Sequence, residues 1–168
     1  AAIISIGTAT LAAFIGAGRQ AQGVHYPSVN RLDDTSIEAV AELDEERMAT
    51  VVDAYNIPRS FGDYREMLES VDPDMVYAIM GEQYVTPIAV DCMNAGKHVF
   101  IEKPPGGSPE ESERLLETAT ANDVYCMIGY QRRFAAVTRE AMRLVQERGP
   151  ATLAIGGFHK HLLGAPKP

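Results

Sequence analysis

The chain has 168 residues and a mass of 18.3 kDa, enough for one hydrophobic core, and its 46% hydrophobic and 23% charged residues are ordinary for a soluble globular protein. A net charge of -8 argues against unaided nucleic-acid binding, which needs a basic face. No apolar run approaches the length of a membrane span, so no membrane partner is expected.

Residues 1–10, AAIISIGTAT, carry neither a basic segment nor a twin arginine, so they are not read as an export signal and stay unassigned. The expected location is the cytoplasm. Regular structure begins with LAAFIGAGRQA: an apolar strand over Leu11–Ile15, then glycines, then a helix. A second strand is read over Thr35–Glu42, followed by Asp44 as an N-cap. Met48, Val51, Val52 and Tyr55 then form one apolar helical face. Asp63–Glu66 reads as a capping box, and Asp74–Met80 as a strand. Thr86-Pro87 is the expected start of a helix that Gly96 stops. The next strand is HVFIE, His98–Glu102. Ser108-Pro109-Glu110-Glu111 opens a helix with Leu115, Leu116 and Ala119 on one face.

Val124–Tyr130 is a further strand. Phe134, Val137, Ala141, Leu144 and Val145 mark a helix closed by Gly149-Pro150, and a last strand is read over Thr152–His159. Cys92 and Cys126 lie in apolar runs with no C-x-x-C spacing. They are read as buried free thiols of a reducing compartment, and no metal site is expected. Strand and helix alternate throughout, and the strands are almost continuously apolar. That pattern predicts an α/β fold, a doubly wound parallel sheet of Rossmann type covered on both faces.

Gly16-Ala17-Gly18-Arg19-Gln20-Ala21 is G-x-G-x-x-A, placed after a strand and before a helix, the context in which it reads as a dinucleotide-binding turn. Gly16 permits the tight turn, Gly18 lets backbone approach a pyrophosphate, and Ala21 lets helix and strand pack closely. The helix N-terminus offers free N–H groups to the anion. Glu42, at the end of the second strand, lies near the usual offset for the carboxylate that accepts both ribose hydroxyls. It would repel a 2′-phosphate by roughly 1–4 kcal/mol at about 4 Å. Leu43 follows, and no arginine or serine is placed to welcome that phosphate, so NAD is favoured over NADP. No P-loop and no Tyr-x-x-x-Lys pair is present.

Ligands of a parallel sheet bind at the carboxyl ends of its strands. Ile15, Glu42, Met80, Glu102 and Gly129 should therefore share one rim, with Glu102-Lys103-Pro104 at the nicotinamide end. A lysine partly desolvated there, beside a positive ring, would give up its proton more readily and suit proton transfer with a substrate hydroxyl. Alternatively, Glu102 and Lys103 form a surface ion pair of little energetic weight.

The segments FIGAGRQAQGVHYPS (Phe14–Ser28), AELDEER (Ala41–Arg47), DYREML (Asp63–Leu68), NAGKHVFIEKP (Asn94–Pro104) and GYQRRF (Gly129–Phe134) together resemble the N-terminal domain of the Gfo/Idh/MocA oxidoreductases. The resemblance covers about Leu11 to Phe158, and AGKHVFIEKP is its most specific part. It implies that Gly16, Ala17, Gly18, Arg19 and Gln20 hold the pyrophosphate and Glu42 the adenosine ribose. Met80, Gly81 and Gln83 would lie along the nicotinamide ribose. Lys103 would be the catalytic lysine that touches that ribose and the reacting hydroxyl, with Glu102 beside it. Gln131 and Arg132 would border the nicotinamide, and Pro104 would hold a strained or cis turn.

The match departs from the family after the fourth strand, where Thr-Pro-Asn-x-x-His is common and this chain has Met80-Gly81-Glu82-Gln83-Tyr84-Val85. His159 and His161 do not match the family's catalytic histidine. The resemblance implies an NAD-dependent oxidoreductase that acts on a sugar, cyclitol or related secondary alcohol. Residues 11–149 would be its dinucleotide-binding domain and residues 150–168 the first strand of a truncated α+β substrate and oligomerisation domain. A homo-oligomer is expected for the full-length parent only. The competing expectation is a dinucleotide-binding module without turnover, or an inactive fragment lacking its substrate domain.

Overall fold

In the computed structural model, which describes residues 9–153 and residue 155, the apolar run at Leu11 forms an interior strand, β1 (Thr10–Ile15). The chain then turns through Gly16 and Gly18 into a helical stretch. Its middle is a π-helical segment, Ala21–His25, and it ends in a single α-turn, α1 (Tyr26–Val29). There follow β2 (Thr35–Ala41), α2 (Glu45–Tyr55), β3 (Arg59–Phe61), α3 (Tyr64–Val71) and β4 (Met75–Ala78). The unit continues with α4 (Glu82–Asn94), β5 (His98–Ile101), α5 (Pro109–Ala121) and β6 (Cys126–Ile128). All pairings are parallel, in the order β3-β2-β1-β4-β5-β6. This is the doubly wound order, and the direction of winding reverses between β1 and β4.

The pleat sorts the core onto two faces. Ala13 and Ile15 of β1 face one way, with Val76, Val99 and Ile101, against Met67, Val85, Ala89, Met93 and Leu115 from α3, α4 and α5. Ala12 and Phe14 face the other way, against Tyr26, Val29 and Val51. On that second face the aromatic rings stack in sequence. Tyr55 lies 5.3 Å from Tyr26, Tyr26 4.0 Å from Phe14, Phe14 4.8 Å from Tyr77, and Tyr77 5.3 Å from Phe100, centroid to centroid. The predicted face of α2 is borne out: Val51 is buried, and Met48, Val52 and Tyr55 pack around it.

Asp44 caps α2 by accepting from the N–H groups of Glu46 and Arg47, each at 3.1 Å. Asp44→Ala is expected to lower stability by about 1 kcal/mol in urea unfolding, with no change in slope. Asp63 caps α3 through Arg65 N–H at 2.8 Å. Ser108 caps α5 through Glu111 N–H at 3.3 Å, while the Glu111 carboxylate accepts from Gly107 N–H at 2.5 Å.

Several sequence expectations need correction. Strand β3 was not foreseen: at three residues it is too short to show alternation, and its side chains are largely exposed at the sheet edge. Helix α4 begins at Glu82 with Gly81 as its N-cap, one turn before Thr86-Pro87, so Pro87 sits inside it. The ring removes a donor to the Gln83 carbonyl, and this is tolerated because Gln83 is exposed. Leu116 does not share the buried face of Leu115 and Ala119; it is 68% exposed. Gly96 does end α4, at a φ of 77°.

Cys92 is buried and Cys126 half-buried, both as free thiols. Burial pushes the Cys92 thiol up to about 12 and the Cys126 thiol up to about 11, so neither is ionised at neutral pH.

The chain divides into two compact units, the first ending at Tyr130 and the second beginning at Gln131. The second opens with a 3₁₀ turn, Gln131–Phe134, followed by α6 (Ala136–Arg148) and Gly149. Phe134 therefore belongs to the turn and not to the predicted helix. On α6, Arg143 pairs with Glu140 at 2.7 Å and also with Glu147. Thr152 and Leu153 are not in a strand, and most of the predicted strand to His159 lies outside the described residues, as do His161 and residues 1–8. Among the described residues no helix is long and apolar enough to cross a membrane.

Candidate functional site

The carboxyl ends of β1 to β5 open onto one cleft of about 950 Å³. Its wall is built in strand order. Gly16, Gly18, Arg19 and Gln20 follow β1, Glu42 and Leu43 follow β2, and Gly62 to Arg65 follow β3. Ile79, Met80 and Gly81 follow β4, and Glu102 and Lys103 follow β5. The volume lies within the range of pockets that take cofactors.

Gly16 is fixed by its neighbours. Its φ is 100°, and a Cβ built on it would lie 2.3 Å from the Ile79 carbonyl oxygen. Its N–H donates to Ala41 O at 2.8 Å, and Ile79 N–H donates to Ile15 O at 2.9 Å. The turn is therefore wedged at the point where winding reverses. Gly18 is the opposite case: a Cβ there would meet nothing within 4 Å. The space in front of its backbone is open toward the cleft, as close approach of a pyrophosphate requires. Ala17 is buried and contributes backbone only.

Glu42 bridges the two rims. One oxygen accepts from Ala17 N–H at 2.6 Å, and the other accepts from Leu43 N–H at 2.9 Å and Asp44 N–H at 3.1 Å. This holds the carboxylate against the glycine turn, where ribose hydroxyls would donate to it. A cradle that only glycine fits, an open approach and a fixed acceptor together suit a dinucleotide.

Two arginines share the cleft with Glu42, contrary to the sequence expectation that none is nearby. Arg47 reaches it from the first turn of α2, pairing with Asp44 at 3.4 Å. Arg65 reaches it from α3, bonding to Asp91 at 2.8 Å. Neither was legible because α2 folds back beside the end of β2, and the loop after the unforeseen β3 carries the second. Tyr64 lines the same stretch and donates to Asp91 at 2.6 Å. Burial and that contact hold its hydroxyl well above the ordinary tyrosine range.

Glu102 is half-buried and follows directly on β5, which stops at Ile101, one residue short of the expected strand end. Its Oε1 lies 2.8 Å from His25 Nε2 and accepts from Gln20 Nε2 at 3.2 Å, while Oε2 accepts from Lys103 N–H at 3.2 Å. Burial alone would raise this carboxyl. The bonds from His25, Gln20 and the Lys103 amide outweigh burial and hold it below the usual range. Gly129 packs directly against it: a Cβ there would lie 3.3 Å from Oε2.

Lys103 lines the cleft but is exposed, not partly desolvated as expected, because it stands at the outer lip beyond the last buried residue, Ile101. The Lys103–Pro104 bond is cis. Gln83 does not line the cleft. It lies in the exposed first turn of α4, and Tyr84 and Ile88 of that helix reach the cleft in its place. Gln131 and Arg132 belong to the second unit. His25, which sequence reasoning passed over, lies five residues beyond Gln20; an α-helical reading places those two on different faces. Among the described residues no cluster of three or more potential metal ligands is found.

A family profile described as "Oxidoreductase family, NAD-binding Rossmann fold" matches residues 11–130. Myo-inositol 2-dehydrogenase of Thermotoga maritima is 27% identical over 120 residues, covering 71% of this chain and 36% of that protein. D-glucoside 3-dehydrogenase of Escherichia coli is 27% identical over 128 residues, covering 76% of this chain and 36% of that protein. The solved scyllo-inositol dehydrogenase of Lactobacillus casei, with bound NAD(H) and scyllo-inositol, shares the fold at a TM-score of 0.78 and 22% identity. That likeness covers 83% of this chain and 42% of the other. The chain thus spans little more than a third of the length of these curated relatives. A profile match over most of the sequence is decisive for descent: the chain belongs to the Gfo/Idh/MocA family of oxidoreductases, and residues 11–130 are its NAD-binding Rossmann fold.

Proposed function

We propose that this chain is the nucleotide-binding part of an NAD-dependent oxidoreductase that acts on a sugar, cyclitol or related secondary alcohol. The observation that carries the reading is the cleft at the β1–β4 reversal, with Glu42 fixed beside the glycine turn. The dehydrogenase names of the relatives support the substrate class. Bound NAD would supply a nicotinamide ring that takes up hydride. In this reading the Gly16–Gln20 turn binds the pyrophosphate through backbone N–H groups, and Glu42 accepts the adenosine ribose hydroxyls. Met80 and Gly81 border the nicotinamide ribose, and Glu102 steadies the turn that carries Lys103. The Lys103 side chain orients the substrate hydroxyl, and in its neutral amine form it accepts the proton that the hydroxyl gives up. Any homo-oligomer would form in the full-length protein.

Glu42 sets the preference for NAD, since a 2′-phosphate would meet its charge. Glu42→Gln keeps the shape and an acceptor for Ala17 N–H, and leaves Arg47 and Arg65 on the cleft. It is expected to raise NADP affinity by about tenfold or more while weakening NAD. Isothermal titration of each cofactor reads both changes, and an unaltered NAD-to-NADP ratio would count against the role of Glu42.

The same calorimetry on the unmodified chain tests the proposal itself: saturable NAD binding is expected, and none rejects it. A second reading is favoured by the share of the relatives that the chain covers, namely that it binds the cofactor without turning over. Assays with a panel of polyols separate the two, because measurable turnover by this chain alone refutes the second.

A further inference from the structure

The Glu102 carboxylate is gripped from the helix that follows the glycine turn. Gln20 and His25 both reach its Oε1, at 3.2 Å and 2.8 Å. In an α-helix of 3.6 residues per turn, side chains five apart diverge by about 140°. Here the intervening segment, Ala21–His25, is π-helical, and Tyr26 N–H closes it onto Ala21 O. Bonds between residues five apart widen the turn, so positions 20 and 25 come to one face. The local departure from α-geometry is what brings both donors to a single oxygen.

The His25 ring is held for this task. It is 8% exposed, and its centroid lies 5.1 Å from Phe100 and 6.4 Å from Tyr77. An ionised Glu102 is acceptor-only, so the 2.8 Å contact assigns the proton to His25 Nε2. The other oxygen of Glu102 takes the Lys103 N–H. One carboxylate therefore joins the cofactor-binding helix to the lysine turn, with Gly129 closing the side that a larger residue would crowd.

We propose that His25 is a positioning residue: acting through Glu102, it ties the Lys103 turn to the helix of the glycine motif, so that cofactor binding and lysine placement are coupled. The proposal deepens the functional reading above and rests on it for the role of Lys103. A histidine that only fills the core would stabilise the fold without reporting to Lys103.

The test uses the 168-residue chain with NADH as probe. His25→Gln keeps a terminal N–H donor, and His25→Phe keeps a ring against Phe100 and Tyr77 but no donor. By amide NMR, the Lys103 N–H is expected to shift and to exchange faster in H25F, and to stay near its wild-type position in H25Q. In titrations H25F is expected to bind NADH about tenfold more weakly and H25Q within about threefold of wild type, as loss of one charge-assisted hydrogen bond implies.

A Lys103 amide unmoved in H25F overturns the proposal, as does an NADH affinity of H25F within about threefold of wild type. If H25F fails to fold, Glu102→Ala gives the second reading. Ring nitrogen shifts of His25 should then lose the fixed Nε2–H tautomer of the wild type, and an unchanged tautomer overturns the proposal. A wild-type chain that binds no NADH rejects the functional reading, and the cofactor-free Lys103 amide and His25 ring measurements still decide this one.

Discussion

Gly16→Ala is expected to abolish measurable dinucleotide binding and to destabilise the chain by about 2–4 kcal/mol. The added methyl would start 2.3 Å from the Ile79 carbonyl oxygen, at a φ of 100° that an L side chain rarely adopts. Nothing nearby yields cheaply. The obstructing atom is backbone, and both chains at the contact are tied into the sheet, Gly16 to Ala41 and Ile79 to Ile15. Relief must come from pushing the segment after β4 outward, and that segment lines the cleft at Ile79, Met80 and Gly81. Gly18→Ala separates the two effects. With no atom within 4 Å of the new methyl, it should unfold in urea like the wild type yet bind NADH at least tenfold more weakly. Equal loss of stability in both variants would mean that the open face of Gly18 has been misjudged.

The second large effect concerns turnover. In a protein of the relatives' full length that carries this sequence, Lys103→Ala is expected to lower kcat by about 10²–10⁴, the range for a positioned proton-transfer group. NAD binding should persist, because the glycine turn and Glu42 are untouched. Stability should persist as well: Lys103 is exposed, and its only contribution to the Glu102 network is a backbone N–H that alanine retains. Stopped-flow hydride transfer and a thermal melt on the same sample check both statements. Unchanged turnover would remove Lys103 from the mechanism, and a lowered melting temperature would show that the lysine side chain is structural.

Acid should act on this region in a defined direction. Glu102 is held below the usual carboxylate range, so its hydrogen bonds contribute stability fully above that range. The contribution fades as pH falls through the lowered value. Removing the His25 donor leaves burial, which raises the carboxyl, less opposed. The acid loss should therefore begin at higher pH in H25F than in wild type.

The parts of the fold that could be read from sequence were those with a long signal. The run at Leu11, the caps at Asp44, Asp63 and Ser108, and the stop at Gly96 are local chemistry, and each appears where the residues require. Short or ambiguous signals failed. Strand β3 has three residues and no interior. Pro87 fits a first helical turn and also an interior position whose freed carbonyl meets solvent, and the sequence does not distinguish them. Leu116 has the right spacing for the buried face of α5 but the wrong side of it.

At the site, the glycine turn, Glu42, Glu102 and Lys103 were legible because a strand's carboxyl end is a fixed address in a parallel sheet. Arg47 and Arg65 were not, since their approach depends on how α2 and α3 fold back over the rim. His25 was hidden by helix geometry: only a π-helical turn brings it to the face of Gln20.

The chain contains no tryptophan, and three of its seven tyrosines, Tyr26, Tyr55 and Tyr77, stand in the ring stack on the face that α1 covers. The stacked rings contribute to the near-ultraviolet dichroism of the protein, a signal that reports packing, not secondary structure. The helix that carries Gln20 and His25 thus has a built-in optical gauge. NADH emission can be followed beside it without indole overlap, so seating of the helix and occupancy of the cleft are readable in one cuvette.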